Sequence, residues 1–238
     1  MSEVLTIVLW TLAAGITIPI GAAFATIKRI GPNWLEEEFK HFVIAFGGGA
    51  LISAVALVLI PEGIKELSIP STALFFLGGG ITFLVIDYIL DARKTRGSQL
   101  VAMLADFVPE AIALGATFTA DSKVGSLLAI LIALQNLPEG FNAFREINSS
   151  TTGRPLTIIA VFVGLAFLGP VCGLLGFWWL SDSPTVISAL MVFAAGGILF
   201  IIFQDIAPQA RLKKHWAPPL GAVFGFLLGL IANMMIGG

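Results

Sequence analysis

Long apolar runs, broken at short intervals by charged and turn residues, dominate this chain. Eight stand out, at residues 4–27, 41–61, 70–91, 99–119, 123–145, 155–180, 184–207 and 216–236. Each exceeds the roughly 20 apolar residues a helix needs to cross a bilayer, so the pattern predicts eight transmembrane helices joined by short loops. The longest connections lie around Gly31-Pro32-Asn33 and at 148–153, which leaves no room for a soluble domain. Residues 1–238 therefore read as one all-α, polytopic transmembrane domain. The first run is read as a retained helix and not a signal peptide, because no cation precedes Lys28 and Arg29.

Two stretches of the pattern match one another. FGGGALISAVALVLIPEG (46–63) aligns with FAAGGILFIIFQDIAPQA (193–210) at a constant offset, pairing Phe46 with Phe193, Gly49 with Gly196, Pro61 with Pro208 and Glu62 with Gln209. The first lies on span two and the second on span seven, which run in opposite directions. Spans one and six each carry a mid-helix proline as well, Pro19 and Pro170. Such a pattern reads as an inverted-topology repeat, spans 1–3 against spans 6–8, with spans 4 and 5 between them. Repeats of this kind mark transporters, whose binding site lies near the midplane at the repeat interface. Chance similarity between two glycine-rich helices is the competing explanation.

Composition agrees with the pattern and charge adds orientation. The chain is 57% hydrophobic and 12% charged, against about 25% charged in soluble domains. Loops one, three, five and seven hold eleven of the 13 Lys and Arg: Lys28, Arg29, Lys40, Arg93, Lys94, Arg96, Arg145, Arg154, Arg211, Lys213 and Lys214. The even loops hold Lys65 and Lys123 alone. The positive-inside rule puts the odd loops in the cytoplasm and both termini outside, as for a plasma or inner membrane protein. A net charge of −2 gives no reason to expect a nucleic-acid partner. The single cysteine, Cys172, forms no CxxC pair and reads as a small packing residue, a thiolate ligand being the alternative. There is no HExxH zinc pattern and no nucleotide-binding loop, so neither an intramembrane metalloprotease nor ATP coupling is expected.

The candidate chemistry lies in the middle two spans. Span four contains DFVPEA (106–111) and span five QNLPEG (135–140). Asp106 and Glu110 are four residues apart, as are Gln135 and Glu139, so each pair shares a helix face. In an antiparallel hairpin turning near Asp121, Asp106 lies at the depth of Glu139, and Glu110 at that of Gln135. Asn136 sits beside them, about 100° round the helix. Pro109 and Pro138 supply no N–H to the carbonyls of Ala105 and Leu134, leaving those oxygens open to a ligand or water. Each carboxylate at mid-bilayer costs ~2.5–3.5 kcal/mol on insertion scales, and no Lys or Arg lies deep enough to neutralise Asp106, Glu110 or Glu139. A bound cation or protons must do so. Interhelical hydrogen bonding by protonated acids is the alternative. Asp87 and Asp91, near Arg93 and Lys94, read as interfacial ion-pair partners. Glu62 and Asp205 suit either a vestibule or a span end, and His41 and His215 read as surface residues.

These motifs resemble the ZIP (Zrt-, Irt-like) family of divalent metal transporters. The resemblance rests on the paired PE motifs, LIPEG (59–63), GLAFLGPVCGLLG (164–176) and FAAGGILFIIFQDIAPQA, and covers nearly the whole chain. It implies a 3+2+3 bundle and metal uptake toward the cytoplasm through a site between spans four and five. By position, Asp106, Glu110, Gln135 and Glu139 would form the main site, and Asn136 would belong to a second. Asp106 and Gln135 stand where the family's motifs carry histidine, Phe107 where asparagine is usual, and Gly169 where glutamate usually precedes the span-six proline. The resemblance therefore implies loss of the second site, with Phe107 occluding it, and is compatible with a homodimer.

An all-oxygen site suits Mn²⁺ or Fe²⁺ better than zinc, although carboxylates bind zinc too. The expected function is transport of divalent cations (Mn, Fe or Zn) through the mid-membrane site, with the metal as substrate and no prosthetic group. The alternatives are a non-transporting ZIP-like scaffold or metal sensor, and a proton-coupled transporter of another solute.

Overall fold

The computed structural model describes residues 2–27, 33–92, 97–150, 154–211 and 216–237. Lys28, Arg29, Arg93, Lys94, Arg96, Lys213, Lys214 and His215 lie outside the described residues, and with them the ion-pair partners expected for Asp87 and Asp91. All regular structure among the described residues is helical. The elements are α1 (Glu3–Ala25), α2 (Asn33–Ala54), a π turn (Val55–Leu59), α3 (Ile60–Gly63), α4 (Ile69–Ala92), α5 (Ser98–Ala120) and α6 (Ser122–Ser150). They continue with α7 (Pro155–Ala166), α8 (Leu168–Leu180), α9 (Pro184–Ile201), a second π turn (Ile202–Ile206), α10 (Ala207–Ala210) and α11 (Leu220–Gly237).

Among the described residues, seven helical units are long and apolar enough to cross a membrane: Glu3–Ala25, Glu37–Gly63, Ile69–Ala92, Ser98–Phe118, Ser122–Ser150, Pro155–Leu180 and Pro184–Ala210. Leu220–Ile236 is a shorter apolar helix. The chain is an integral, polytopic helical membrane protein.

Where helix ends depart from the apolar runs, local chemistry explains the difference. Helix α2 begins at Asn33 and not near 41, with the acidic Glu37 and Glu38 on the side of the positive end of the helix dipole. Helix α6 continues through Ser150, past the expected end at 145. Helix α11 starts only at Leu220, since Pro218 and Pro219 disfavour helical backbone in the residues before them. Span six is broken at Phe167, whose N–H bonds Gly164 O at 3.2 Å. Pro170, just beyond, can neither donate to the Ala166 carbonyl nor fit its ring beside it.

The prolines of spans two and seven act differently. Each follows a π turn, in which Ile60 N–H bonds Val55 O and Ala207 N–H bonds Ile202 O. Widening one turn makes room for the rings of Pro61 and Pro208 without breaking the helix. The two π turns lie at the same sequence offset as Phe46 and Phe193, and α3 and α10 follow at that offset too.

Packing follows a similar correspondence. Helix α2 lies against α11 and α4 against α9, while α1 packs on α6 and α8 on α5. Close approach of α1 and α6 depends on two glycines. A Cβ on Gly21 would strike the Leu137 carbonyl, and one on Gly140 the Ile18 carbonyl. The two backbones thus touch, as is usual where small residues face one another between membrane helices. This contact fixes the depth of QNLPEG.

Candidate metal site

Antiparallel helices α5 and α6, joined at Asp121, bring the two PE motifs together. Pro109 and Pro138 both stay inside continuous helices. The Gln135 side-chain amide donates to Glu110 Oε2, and both residues are wholly buried. Asn136 turns toward α1, where its Nδ2 donates to Ala14 O at 3.0 Å. Asp106 is 2% exposed, and Glu139 is half-buried.

Each of these five residues leaves one oxygen buried without a hydrogen-bond donor: Asp106 Oδ1, Glu110 Oε1, Gln135 Oε1, Asn136 Oδ1 and Glu139 Oε2. Thr117 Oγ1 is the other side-chain atom in this condition among the described residues. An unpaired acceptor in a protein interior is costly, and the five carried by α5 and α6 are oxygen donors facing no protein hydrogen. Carboxylate and amide oxygens of this kind suit hard or borderline divalent cations.

The arrangement is split between two levels. Asp106 and Glu139 line a cavity of about 60 Å³ together with Gln99, Asn142, Asp205 and Gln209. Glu110 and Gln135 lie one turn deeper, held to each other. Among the described residues, no three His, Cys, Asp or Glu side chains are drawn close enough to surround one ion. Gln135 thus meets Glu110 at the depth the antiparallel pairing predicts, while Asp106 and Glu139 face the cavity one level away.

The cavity opens toward one side of the bundle. Gln99 starts α5 and Gln209 ends α10, so the mouth lies on the side of Arg145, Arg154 and Arg211. A second cavity, about 140 Å³, shares Gln99, Asp205 and Gln209 with the first and adds Asp87 and Ser98. Asp87 accepts a hydrogen bond from Gln204 Nε2 at 3.1 Å, which ties the second π turn to α4. Toward the opposite side, Leu59, Leu114, Leu128 and Leu131 are fully buried. Beyond them, Glu62, Asp121, Lys123 and Asn233 line a separate cavity of about 210 Å³, and Glu62 pairs with Lys65 at 2.6 Å.

Phe107 is buried with its ring against Gly169: a Cβ on Gly169 would lie 3.1 Å from Phe107 Cζ and also meet the Thr11 carbonyl. Cys172 is a buried packing residue, and His41 bonds the Glu37 carbonyl at 2.7 Å, away from the site. The carboxamides Gln99, Asn142 and Gln209 escape notice in the sequence. For Asn142 a signal exists: Gln135, Glu139, Asn142 and Glu146 form a stripe at helical spacing.

Fold and site together define a polytopic membrane protein with a buried carboxylate and amide cluster reached from one face. Three curated proteins are similar in sequence, and all are named as zinc transporters. The chain is 24% identical over 235 residues to zinc transporter YKE4 of Saccharomyces cerevisiae, covering 76% of this chain and 67% of that protein. It is 25% identical over 279 aligned positions to zinc transporter ZupT of Chlorobium phaeovibrioides, covering 99% and 97% respectively. With zinc transporter GufA of Myxococcus xanthus it shares 28% identity over 141 residues, 58% of this chain and 55% of that protein. No family model matches the chain.

Proposed function

We propose that this chain is a ZIP-type transporter of divalent metal cations, moving them toward the cytoplasm through a site of Asp106, Glu110, Gln135, Asn136 and Glu139. The observation that carries the reading is the set of five buried, unpaired oxygens, one from each of these residues. The names of the three relatives support a divalent metal as cargo. On this reading the chain is not an enzyme, and the metal is substrate rather than prosthetic group.

The chain forms a single domain of eight spans in a 3+2+3 bundle, with spans 1–3 and 6–8 as inverted repeats around α5 and α6. The matched π turns and the paired packing of α2 on α11 and α4 on α9 favour this arrangement. Both termini face outside. The cavity at Asp106 and Glu139 then corresponds to an inward-facing state, with the leucine layer as the closed outer gate. Alternating access moves the repeats against the central pair. An ion descending to Glu110 displaces the Gln135 amide, passes to Asp106 and Glu139, and leaves past Gln99 and Gln209. The all-oxygen donor set favours Mn²⁺ or Fe²⁺, with Zn²⁺ also accommodated by carboxylates. Phe107 against Gly169 leaves a single main site.

Uptake into proteoliposomes tests the proposal. The wild type is expected to take up Mn²⁺, Fe²⁺ or Zn²⁺ saturably, and Glu110→Ala and Glu139→Ala to abolish it. Unchanged uptake in both variants removes this site from the mechanism. Saturable binding without uptake identifies a sensor or scaffold, and uptake driven by a pH gradient but indifferent to metals identifies a different solute.

A further inference from the structure

Helix α5 begins without a cap of its own. Its N-cap residue, Gly97, has no side chain to accept from the first turn and adopts a left-handed φ of 86°. The first turn of any helix leaves N–H groups without intrahelical partners. Here two of them are met from another helix: the Glu146 carboxylate of α6 accepts from Ser98 N at 3.2 Å and Gln99 N at 2.9 Å, and also from Ser98 Oγ at 2.9 Å. A negative group at this position also suits the positive end of the α5 dipole.

The placement of this contact relates it to the site. Gln99 precedes Asp106 by seven residues on α5, and Glu146 follows Glu139 by seven on α6. Both intervals amount to about 10 Å along the helix axis at ~1.5 Å per residue. The contact therefore sits two turns from the Asp106 and Glu139 level on both helices, at the open end of the hairpin. At the other end the chain itself joins the helices at Asp121. Between the ends, the Glu110–Gln135 hydrogen bond ties the two helices, and it uses the very groups an ion would engage. Gln99, whose backbone is held by Glu146, lines both cavities at the mouth.

We infer that Glu146 is a positioning residue: by capping α5 from α6 it fixes the axial register of the two helices, and so holds Asp106 opposite Glu139 and Gln99 at the mouth when the Glu110–Gln135 bond opens. The register matters because a one-residue slip moves a side chain by ~1.5 Å along the axis and 100° around it. The inference that this alignment serves metal binding rests on the function proposed above; the latch itself does not.

Two readouts separate these claims. Spin labels placed at Val101→Cys and Asn148→Cys, both exposed, in a Cys172→Ser background report the distance between the open ends of α5 and α6. In Glu146→Ala the distance distribution is expected to broaden and lengthen by several ångströms, with Glu146→Gln, which retains one acceptor oxygen, close to the parent. Calorimetric titration with Mn²⁺ is expected to show affinity reduced at least tenfold in Glu146→Ala and no more than threefold in Glu146→Gln, at unchanged stoichiometry. An unchanged distance distribution in Glu146→Ala overturns the latch. A changed distribution with unchanged Mn²⁺ affinity overturns the positioning role. A parent protein that binds no divalent metal overturns the proposed function and with it the positioning role, while the distances still decide the latch. If Glu146→Ala does not fold, Glu146→Asp takes its place: the shorter side chain reaches only part of the first turn, and a parental distance distribution there counts against the latch.

Discussion

Replacing Glu110 by Gln separates the two effects of a buried carboxylate. Glu110 is wholly buried and its Oε2 already accepts from Gln135. The variant has the same shape, and its own carbonyl oxygen can accept that hydrogen bond, so packing is conserved. A carboxylate in the membrane interior costs ~2.5–3.5 kcal/mol on insertion scales, and the variant removes whatever part of this the metal-free protein bears. The metal-free protein should therefore be no less stable than the wild type and should gain up to about 2.5 kcal/mol. Metal binding moves the other way. Contacts to charged groups contribute about 1.5–3 kcal/mol, so affinity should fall roughly 10- to 100-fold at 1.4 kcal/mol per decade. Thermal unfolding in detergent, with and without Mn²⁺, reads both terms in one experiment. The expected outcome is an equal or higher midpoint without metal and a much smaller rise on adding it, because stabilisation by a ligand follows its affinity. A variant destabilised without metal, or stabilised by Mn²⁺ as much as the wild type, refutes the reasoning.

Three further substitutions probe the frame. Gly97→Ala meets no steric obstacle, as Ile147 Cγ1 would lie 3.6 Å from the new Cβ, so the left-handed φ alone should cost about 1–2 kcal/mol; chemical unfolding checks this, and a neutral effect contradicts the assigned backbone. Gly140→Val drives a branched side chain into the Ile18 carbonyl and should cost at least the ~1–3 kcal/mol of an overpacked core, with metal affinity falling alongside stability because α6 carries the site. Phe107→Ala empties space beside Gly169 and should destabilise by about 3–5 kcal/mol; a loss below 1 kcal/mol would mean that the ring does not fill this contact.

Much of this frame is legible from periodicity and charge alone. Apolar runs locate the long helices to within a few residues where turn residues bound them, as at Ile69–Ala92 and Pro184–Ala210. They fail at Asn33 and Ser150, because helix continues into polar sequence that a hydropathy pattern does not register. Proline positions announce that helices are perturbed but not how: Pro19, Pro109 and Pro138 are absorbed, Pro170 breaks span six, and Pro61 and Pro208 follow π turns. The outcome depends on which neighbours can take up the freed carbonyl and make room for the ring. The equal-depth argument brings Glu110 to Gln135, since antiparallel pairing of two continuous helices leaves little choice. It does not foresee that Asn136 reaches Ala14 O, or that Gln99, Asn142 and Gln209 join Asp106 and Glu139 at the cavity. Those details depend on side-chain rotamers and on α1, whose one charged residue, Glu3, lies at its start, far in sequence from Ala14. The cap from Glu146 is likewise hidden, joining residues 47 and 48 positions apart.

The most direct test of the central claim is to locate the ion. Crystals grown with Mn²⁺ and measured for anomalous scattering should give one strong peak between α5 and α6, within about 2.0–2.6 Å of oxygens from Glu110, Glu139 and at least one of Asp106 and Gln135, distances appropriate to hard divalent cations. The peak should vanish in Glu110→Ala. A peak confined to the outer cavity at Glu62 and Asp121, or no peak in protein shown to take up the metal, would contradict the assignment of these two helices as the site of transport.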